Sequence, residues 1–306
     1  MASLIKNPLV SVAMATYNGE KFLAEQLDSL LHQTYKNIEI VITDDGSKDN
    51  TIAIIKKYQQ SADNIHLYIN DINTGVTKAF ERSVRMSAGE FICFADQDDI
   101  WVDNKIEILL NNIEKEDAVY SNSELVDQHG ISLNKDFSSI MNMRSYYSGE
   151  PFFVSNCVPG HTILMKKSFA EKILPFPENI MFDRWISYCA AANNGIRYVD
   201  KILVKYRQHE NNTIGTGRKK HARYKEIKSR LFQDKLEELQ TIQTAPVSNN
   251  ETQYILKEML LHFHRGWSIQ RSLFFFRNID KILVIKKRSR FRKILYCLKM
   301  IFKANY

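Results

Sequence analysis

The sequence predicts an α/β fold: a mainly parallel, twisted sheet with helices on both faces, followed by a helical C-terminal region. In the first third of the chain, short apolar runs alternate with stretches whose apolar residues recur at helical spacing. Polar clusters directly follow three of these runs, as they do at the carboxyl ends of parallel strands. Beyond His209 the pattern is helical only. Such strand–helix alternation is typical of a parallel sheet.

The individual elements follow from these patterns. Strands are predicted where apolar residues run together, at 10–15, 38–43, 65–69, 91–95, 118–121, 162–165 and 197–200. Helices are predicted where apolar residues recur every three or four positions, at 20–33, 49–58, 76–86, 102–113, 183–193, 224–240 and 251–272. The stretch 128–159 is predicted to be a long polar and aromatic loop.

The composition is that of an ordinary globular protein of one or two domains. The formal net charge is +7, but nine Lys and Arg residues and no acidic residue lie in 281–306, so the basicity belongs to this tail. Four widely spaced cysteines, no leader-like N-terminus and no apolar run of span length favour a reducing, cytoplasmic compartment. No known nucleic-acid-binding motif accompanies the basic tail, so no nucleic-acid partner is predicted.

Three carboxylates cluster directly after the apolar run 91–95. Asp96, Asp98 and Asp99 lie within four residues, in the sequence A-D-Q-D-D-I-W. Like charges repel each other, and a divalent cation that takes carboxylate oxygens would remove that repulsion. The alternative is an acidic loop that water solvates. From these residues alone, both interpretations stay open.

Two further polar clusters occupy the same position in the predicted sheet. Residues 16–20, T-Y-N-G-E, follow the first strand, and 44–47, D-D-G-S, follow the second. Because ligands of open α/β sheets bind beyond the carboxyl ends of the strands, all three clusters are expected to line one cleft.

Four motifs in order resemble the inverting family 2 glycosyltransferases, which have the GT-A fold. They read V-S-V-A-M-A-T-Y-N-G-E, D-D-G-S-x-D-N-T, N-x-G-V-x-K-A-F and G-E-F-I-C-F-A-D-Q-D-D-I-W. The D-Q-D-D-x-W form and the later Y-R-Q-H-x-x-N resemble the rhamnosyltransferase-like branch, which builds bacterial surface polysaccharides. The resemblance covers about residues 9–213 and implies a glycosyltransferase domain over 1–215, with a nucleotide-binding part to about residue 120 and an acceptor part over 121–215. The helical region over 216–306 is predicted from its helical pattern and is not covered by the resemblance.

The resemblance also implies roles for particular residues. The nucleotide would contact Thr16, Tyr17, Glu20, Asp45, Lys78 and Asp96, with Asp45 accepting the N3–H of a pyrimidine base. Mg²⁺ or Mn²⁺ would be held by Asp98 and His209. Simpler alternatives are a solvated helix lysine for Lys78 and a surface or core residue for His209. Asp99 would lie behind the metal or cap the next helix.

The same resemblance places the catalytic base at Asp183, at the start of the predicted helix 183–193. The alternative for Asp183 is a helix N-cap. Contacts to the donor sugar or acceptor are expected from Gly160, His161, Arg184, Trp185 and Arg207. Relatives often have D-W-W where this chain has D-R-W, so the contacts made by Arg184 are open. Trp101 is expected in the core or as a platform for a sugar.

The implied reaction is the metal-dependent, inverting transfer of L-rhamnose from dTDP-rhamnose to a hydroxyl of a glycan that is carried on a lipid. Alternatives are a UDP-galactose or UDP-glucose transferase of the same family, or a non-catalytic nucleotide- or glycan-binding protein. In the tail, Leu295, Leu298, Ile301 and Phe302 have helical spacing. This basic amphipathic segment predicts peripheral binding to the inner leaflet. A solvated helix and a dimer contact are the alternatives, and the sequence does not indicate the oligomeric state.

Overall fold

The computed structural model describes residues 7–209, 224–263 and 266–302, without the side chains of residues 224–232. The strands are β1 Val10–Thr16, β2 Ile38–Asp44, β3 Ile65–Ile69, β4 Phe91–Ala95, β5 Ile100–Trp101, β6 Ala118–Val126, β7 Ser132–Asp136, β8 Ile163–Lys166 and β9 Ile196–Arg207. The helices are α1 Leu23–Leu31, α2 Thr51–Gln59, α3 Val76–Met86, α4 Lys105–Leu110, α5 Phe137–Ile140, α6 Lys167–Ile173, α7 Phe182–Ala191, α8 Tyr224–Gln243, α9 Asn250–His262, α10 Ile269–Arg277, α11 Ile279–Ile282 and α12 Arg290–Lys299. Short 3₁₀ turns cover Glu150–Phe153 and Gly160–Thr162.

The strands form one mixed sheet. Its order is β3-β2-β1-β4-β8-β6-β9-β5, with β7 paired to β6. The first four strands in that order are parallel to one another, whereas β8 runs antiparallel to both β4 and β6. The long strand β9 is parallel to β6. The predicted α/β sheet is therefore confirmed: four parallel strands lie within the first hundred residues, and β6 and β9 form a further parallel pair.

Both faces of the sheet are covered because alternate residues of the central strands enter different cores. Val12 of β1 and Cys93 of β4 pack with Leu27 of α1 in one core. Ala13 of β1 packs with Phe80 of α3 in the other. The second core continues through α7 into the C-terminal helices, so these helices share one hydrophobic cluster with elements of residues 121–215.

Strand register brings the polar clusters to one edge of the sheet. Thr16 lies opposite Asp44 at the ends of β1 and β2, and Ala95 at the end of β4 lies opposite Met14. The two-residue strand β5 then pairs with β9, which places Trp101 opposite Val204. This pairing turns the acidic loop between β4 and β5 toward the end of β9, where His209 follows.

Three predicted elements differ most from the structure. The helix predicted from residue 102 begins at Lys105, because residues 100–101 are used as a strand. The predicted loop 128–159 contains β7, α5 and a 3₁₀ turn. The single helix predicted over 251–272 is two helices, separated near Gly266, whose φ of 94° is in the left-handed region that a helix excludes.

The described part of the basic tail, residues 281–302, packs against the rest of the fold. Residues 282–285 are buried in the core that also contains α7. Asn142 binds this segment twice, with its backbone N–H donating to the carbonyl of Ile285 (2.7 Å) and its side chain to that of Val284 (3.0 Å). Among the described residues, no helix is both long enough and apolar enough to serve as a membrane span.

Candidate active site

The acidic loop after β4 is folded back against the end of β9. Oδ2 of Asp98 lies 2.6 Å from Nε2 of His209. The buried carboxylate of Asp99 accepts a hydrogen bond from the backbone N–H of Arg207 (3.1 Å). Asp99 does not cap the next helix, because Asn104 occupies the N-cap of α4. The two residues predicted to hold a metal, Asp98 and His209, are therefore in direct contact.

His161 is a second histidine that contacts the acidic loop. Its Nδ1 lies 3.4 Å from Oδ2 of Asp96 and 3.4 Å from Oδ2 of Asp99, and its Nε2 lies 3.1 Å from Oγ of Ser123. The ring stacks on Tyr206, with centroids 4.6 Å apart. One oxygen or nitrogen from each of Asp96, Asp99 and His161 lies within 4.8 Å of the others. Two histidines thus contact the acidic loop: His209 contacts Asp98, and His161 lies close to both Asp96 and Asp99.

The carboxylates of this cluster are hard to ionise together. Burial, followed by the charges of Asp98 and Asp96, raises the pKa of Asp99 well above its ordinary value. Burial and the charge of Asp96 likewise raise the pKa of Asp98, against a lowering contribution from His209. Oδ2 of Asp99 is buried and accepts no hydrogen bond from the described residues. A divalent cation fits this donor set, because carboxylate and imidazole ligands suit Mg²⁺ and Mn²⁺ and a cation would offset the crowded charge.

Lys105 lies beneath the acidic cluster, and no sequence motif indicates this position. Its Nζ is buried, donates to the carbonyl of His161 (2.6 Å) and lies 3.0 Å from the ring centroid of Trp101. Burial lowers the pKa of Lys105 to about 7, although the charges of Asp99 and Asp96 oppose the shift. From the sequence, Lys105 would be expected on the solvated face of an amphipathic helix, whereas the structure buries it. Trp101 is also buried, in the core, and is not a platform for a sugar.

Arg207 positions the acidic loop from within the protein. Its guanidinium is buried, and Nε donates to the carbonyl of Asp98 (2.8 Å) while Nη1 donates to that of Gln128 (2.9 Å). Nη2 lies 2.5 Å from Oε2 of Glu25. The structure therefore places this predicted donor contact behind the acidic loop, where it fixes the backbone of Asp98.

The loop after β1 is tied to the acidic loop by Gln97. Its side chain accepts from the N–H of Tyr17 (2.9 Å) and donates to the carbonyl of the same residue (3.1 Å). Gly19 allows this approach, because a Cβ there would lie 2.3 Å from Oε1 of Gln97. Thr16 donates to Asp44 (2.8 Å), and the ring of Tyr17 is exposed. Thr16, Tyr17 and the acidic loop are thus brought together at one edge, as predicted from the strand ends.

We expect Gln97→Ala to weaken nucleotide binding by about fivefold to tenfold, because two hydrogen bonds that fix the Tyr17 backbone are lost. Isothermal titration with a nucleoside diphosphate measures the change. Gln60→Ala, an exposed glutamine after α2, is the matched control and should bind as the parent does. Unchanged affinity in the Gln97 variant would show that the loop holds its position without this link.

Three predicted nucleotide contacts are engaged by other parts of the protein. Asp45 is buried and accepts from Asn70 (2.7 Å) and from the backbone N–H groups of Thr74 (2.9 Å) and Gly75 (2.8 Å). Burial raises its pKa, but these hydrogen bonds outweigh burial and the net pKa is lowered. In this structure its acceptor sites are therefore used by the loop before α3.

The other two residues form surface contacts. Oε2 of Glu20 accepts from the backbone N–H of Asn50 (2.9 Å), at the start of α2. Nζ of Lys78 lies 3.2 Å from Glu81 and 3.6 Å from Glu178. Their roles toward a nucleotide stay predictions.

Asp183 lies in the first turn of α7, next to the 3₁₀ turn that contains Gly160. The N-cap of α7 is Met181, so Asp183 is not the cap residue. Its Oδ1 accepts from the N–H of Arg184 (2.6 Å). Burial raises the pKa of Asp183 to about 7, and the charge of Asp96 adds to the shift. A carboxylate with this pKa can take a proton near neutral pH.

Gly160 permits the contact between α7 and the His161 turn. A Cβ at Gly160 would lie 2.6 Å from the ring of Phe182 and 3.6 Å from Cβ of Asp183. A side chain at this position would therefore push the start of α7 away from the turn. The glycine thus lets the turn that contains His161 pack against the start of α7, where Asp183 lies.

Arg184 and Trp185, the two residues after Asp183, bind other parts of the fold. Nε and Nη2 of Arg184 donate to the carbonyls of Phe152 (2.9 Å) and Phe153 (2.6 Å), and Nη1 lies 2.5 Å from Glu238. The buried indole of Trp185 donates to the carbonyl of Ile173 (2.9 Å). The structure does not bring these two predicted donor or acceptor contacts to the acidic cluster.

Comparison with known proteins identifies the family. The sequence profile described as glycosyl transferase family 2 matches residues 11–174, more than half of the chain. The chain belongs to glycosyl transferase family 2. An uncharacterized glycosyltransferase of Rickettsia typhi is 31% identical over 224 residues, covering 69% of this chain and 67% of the relative. The dTDP-rhamnosyl transferase RfbG of Shigella flexneri is 31% identical over 229 residues, covering 70% of this chain and 78% of the relative.

Solved structures agree with this fold. TarS of S. aureus, residues 1–349 in complex with UDP-GlcNAc, matches with a TM-score of 0.61 at 18% identity, covering 95% of this chain and 81% of that 1–349 chain. The mannosyltransferase PcManGT of Pyrobaculum calidifontis, in complex with GDP-Man and Mn²⁺, matches with a TM-score of 0.53 at 17% identity, covering 83% and 69% of the two chains. The predicted GT-A-type fold with C-terminal helices is confirmed, and this family 2 protein is a glycosyltransferase.

Proposed function

We propose that this glycosyltransferase moves L-rhamnose from dTDP-L-rhamnose to a hydroxyl group of a glycan, with inversion at the anomeric carbon. The observation that carries the proposal of catalysis is the position of Asp183. It is a partly buried acid in the first turn of α7, beside the turn that contains Gly160 and His161, and burial together with the charge of Asp96 raises its pKa to about 7. The rhamnosyl donor is supported by the identity to the dTDP-rhamnosyl transferase RfbG.

In the proposed reaction, the acceptor hydroxyl oxygen attacks the anomeric carbon as the bond from that carbon to the diphosphate oxygen breaks. The hydroxyl proton passes to the carboxylate of Asp183, and dTDP leaves. A single in-line displacement inverts the anomeric centre without a covalent sugar–enzyme intermediate. The raised pKa of Asp183 suits this role, because its conjugate acid is then stable enough to hold the proton.

Mg²⁺ or Mn²⁺ is the proposed cofactor. When bound, such an ion stabilises negative charge on the departing diphosphate. Asp98 and His209, already 2.6 Å apart, are the first candidates to hold it, and Asp96, Asp99 and His161 form a second group of potential ligands. Arg207 and Lys105 keep the backbone on either side of these groups in place. The residues present therefore fit a divalent cation.

We further propose that the acceptor is a lipid-linked glycan of bacterial surface polysaccharide synthesis, reached at the cytoplasmic face of the membrane. The resemblance to the rhamnosyltransferase-like branch supports this acceptor class. A membrane-bound acceptor requires the enzyme to work at a bilayer surface. The basic tail, with nine Lys and Arg residues in 281–306, gives this chain a means to approach an anionic one.

The donor is tested by thermal stabilisation with dTDP-rhamnose, UDP-glucose, UDP-galactose and GDP-mannose, each with and without Mn²⁺. A ligand at 100 times its Kd stabilises the native state by about 2.7 kcal/mol, so dTDP-rhamnose should raise the melting temperature by about 5 °C in Mn²⁺. Product analysis with the stabilising donor should then show rhamnose transfer. Transfer of glucose or galactose, with none from dTDP-rhamnose, would instead establish a UDP-hexose transferase.

A further inference from the structure

The helix α12 is held in a fixed orientation by α10. Nε of the buried Arg271 donates to the carbonyl of Met300 (2.7 Å), and Oγ of Ser272 donates to that of Cys297 (2.9 Å). The N–H of Ser268 donates to the carbonyl of Ile301 (2.9 Å). These contacts bury the side of α12 that contains Cys297 and Met300. The opposite side of α12 consequently faces outward.

The outward side of α12 is apolar, which is the reverse of an ordinary surface helix. Phe291, Leu295, Leu298 and Phe302 recur at intervals of four, three and four, so they form one stripe. All four are exposed, Phe291 by 68% and Phe302 by 58%. Trp267, which is 78% exposed, packs edge-on against Phe302 with ring centroids 4.9 Å apart. We call these five residues the apolar stripe. A contiguous exposed patch of large apolar residues marks an interaction surface.

Positive charge surrounds the apolar stripe. Arg292 and Lys299 are exposed on α12, and Lys286 and Lys287 are exposed just before it. No acidic residue occurs after Asp280, whose carboxylate lies 2.6 Å from Arg290 and 3.8 Å from Lys293. The surface therefore has an aromatic and aliphatic centre and a basic border. The segment that supplies this border contains no acidic residue after Asp280 that could neutralise its charge.

We infer that this surface docks the enzyme on an anionic lipid bilayer, with the apolar stripe entering the headgroup region. Basic residues meet lipid phosphates while Trp and Phe side chains favour the interface between headgroups and acyl chains. A second copy of the chain is a poor occupant, because two such surfaces would bring like charges together. This inference rests on the proposed approach of the basic tail to a membrane, and it deepens that proposal by assigning the contact to a folded surface that also contains Trp267.

The docking surface is connected by packing and hydrogen bonds to the proposed acceptor part of the site. The buried segment 282–285 precedes α12 and is bound by Asn142. The same hydrophobic core contains Phe152 and Phe153, whose carbonyls accept from Arg184 beside the proposed base. A bilayer that holds α12 would therefore hold the acceptor part in a fixed relation to the membrane surface. Deleting 281–306 would remove buried core residues, so point variants test the surface more cleanly.

Vesicle binding and tryptophan emission provide the test. The probes are vesicles of phosphatidylcholine with about one third phosphatidylglycerol, and vesicles of phosphatidylcholine alone. The chain has three tryptophans, and Trp101 and Trp185 are only 2% and 4% exposed, so a shift in emission reports Trp267. We expect sedimentation with the anionic vesicles and a blue shift of the emission. Binding should weaken at high salt, where the screening length falls to roughly 3 Å at 1 M.

Two double variants of the full chain separate the apolar and basic contributions. Phe291→Gln with Leu295→Gln, and Arg292→Gln with Lys299→Gln, should each weaken vesicle binding by about tenfold or more. The matched controls are Ile131→Gln with Leu133→Gln, exposed near β7, and Lys56→Gln with Lys57→Gln, exposed on α2. The controls should bind vesicles as the parent does.

Three outcomes would overturn the inference. The first is that the parent protein does not bind vesicles. The second is that the control variants lose as much vesicle binding as the stripe variants. The third is that the parent is a dimer in sedimentation velocity and that the stripe variants are monomers. None of these measurements requires the donor. A failure of lipid docking is therefore distinguishable from a failure of the proposed rhamnosyl transfer.

Discussion

Replacing Asp183 with Asn is expected to lower turnover by at least about 100-fold, which is the usual effect of losing a general base. Donor affinity should stay unchanged. Asn keeps the size and much of the hydrogen bonding of the side chain, including acceptance from the N–H of Arg184. It cannot take the proton from an acceptor hydroxyl. Single-turnover kinetics with saturating donor, together with titration calorimetry for donor binding, measure the two quantities separately.

The pH profile gives this prediction a second readout. Burial and the charge of Asp96 raise the pKa of Asp183 to about 7, so the base is protonated and inactive at lower pH. Turnover of the parent enzyme should therefore rise with pH through about 7, and this rise should vanish in Asp183→Asn. Asp200→Asn, an exposed carboxylate on β9, is the control and should keep the parent profile. Reduced donor affinity with normal turnover of the bound complex would show that Asp183 binds rather than catalyses.

The strand ends of the site were predictable because they depend on local patterns. Runs such as 91–95 alternate between two cores, and parallel strands align their carboxyl ends, so the acidic loop had to meet the loop after β1. Asp98 and His209 were predicted as partners from the family resemblance and lie in direct contact. Local pattern and motif together thus located this edge of the sheet and the acids on it.

Contacts between distant elements were not predictable from the same patterns. Lys105 looks like a surface lysine of a short helix, yet it is buried under the acids because β5 pairs with β9 and turns α4 inward. Arg207 and Arg184 resemble ligands for phosphate or sugar in the sequence, but their guanidinium groups bind backbone carbonyls. A one-dimensional pattern shows residue type and spacing, whereas these roles depend on which loops lie next to each side chain.

The orientation of the C-terminal helix α12 was likewise not predictable from the sequence pattern. The tail stripe predicted from Leu295, Leu298, Ile301 and Phe302 has helical spacing, but spacing does not tell which side of the helix faces the protein. In the structure Cys297 and Met300 face inward, and Phe291 joins the outer side. The contacts of Arg271 with the end of α12 decide this orientation, and they depend on a break near Gly266 that the helical pattern did not reveal.

Asp98→Ala is expected to abolish transfer and to weaken the Mn²⁺-dependent binding of dTDP by at least about 100-fold. The variant removes the carboxylate that lies 2.6 Å from His209 and leaves no anionic group at that position. The fold should survive, because Arg207 binds the backbone carbonyl of Asp98 rather than its side chain. The charge of Asp98 also raises the pKa of Asp99, so the metal-free variant should melt no lower than the parent. Calorimetry with dTDP, in the presence and absence of Mn²⁺, measures the effect.

Two comparison variants decide how the Asp98 result is interpreted. Asp103→Ala removes an exposed carboxylate five residues further on and should keep the parent's Mn²⁺ dependence. His161→Ala removes the imidazole that faces Asp96 and Asp99 but leaves Asp98 and His209 in contact. If His161→Ala loses the Mn²⁺ dependence while Asp98→Ala keeps it, the cation is held by the second group and the assignment to Asp98 is wrong. If only Asp98→Ala loses the Mn²⁺ dependence of dTDP binding, the ion binds between the acidic loop and the end of β9. Strand pairing brings these two segments together.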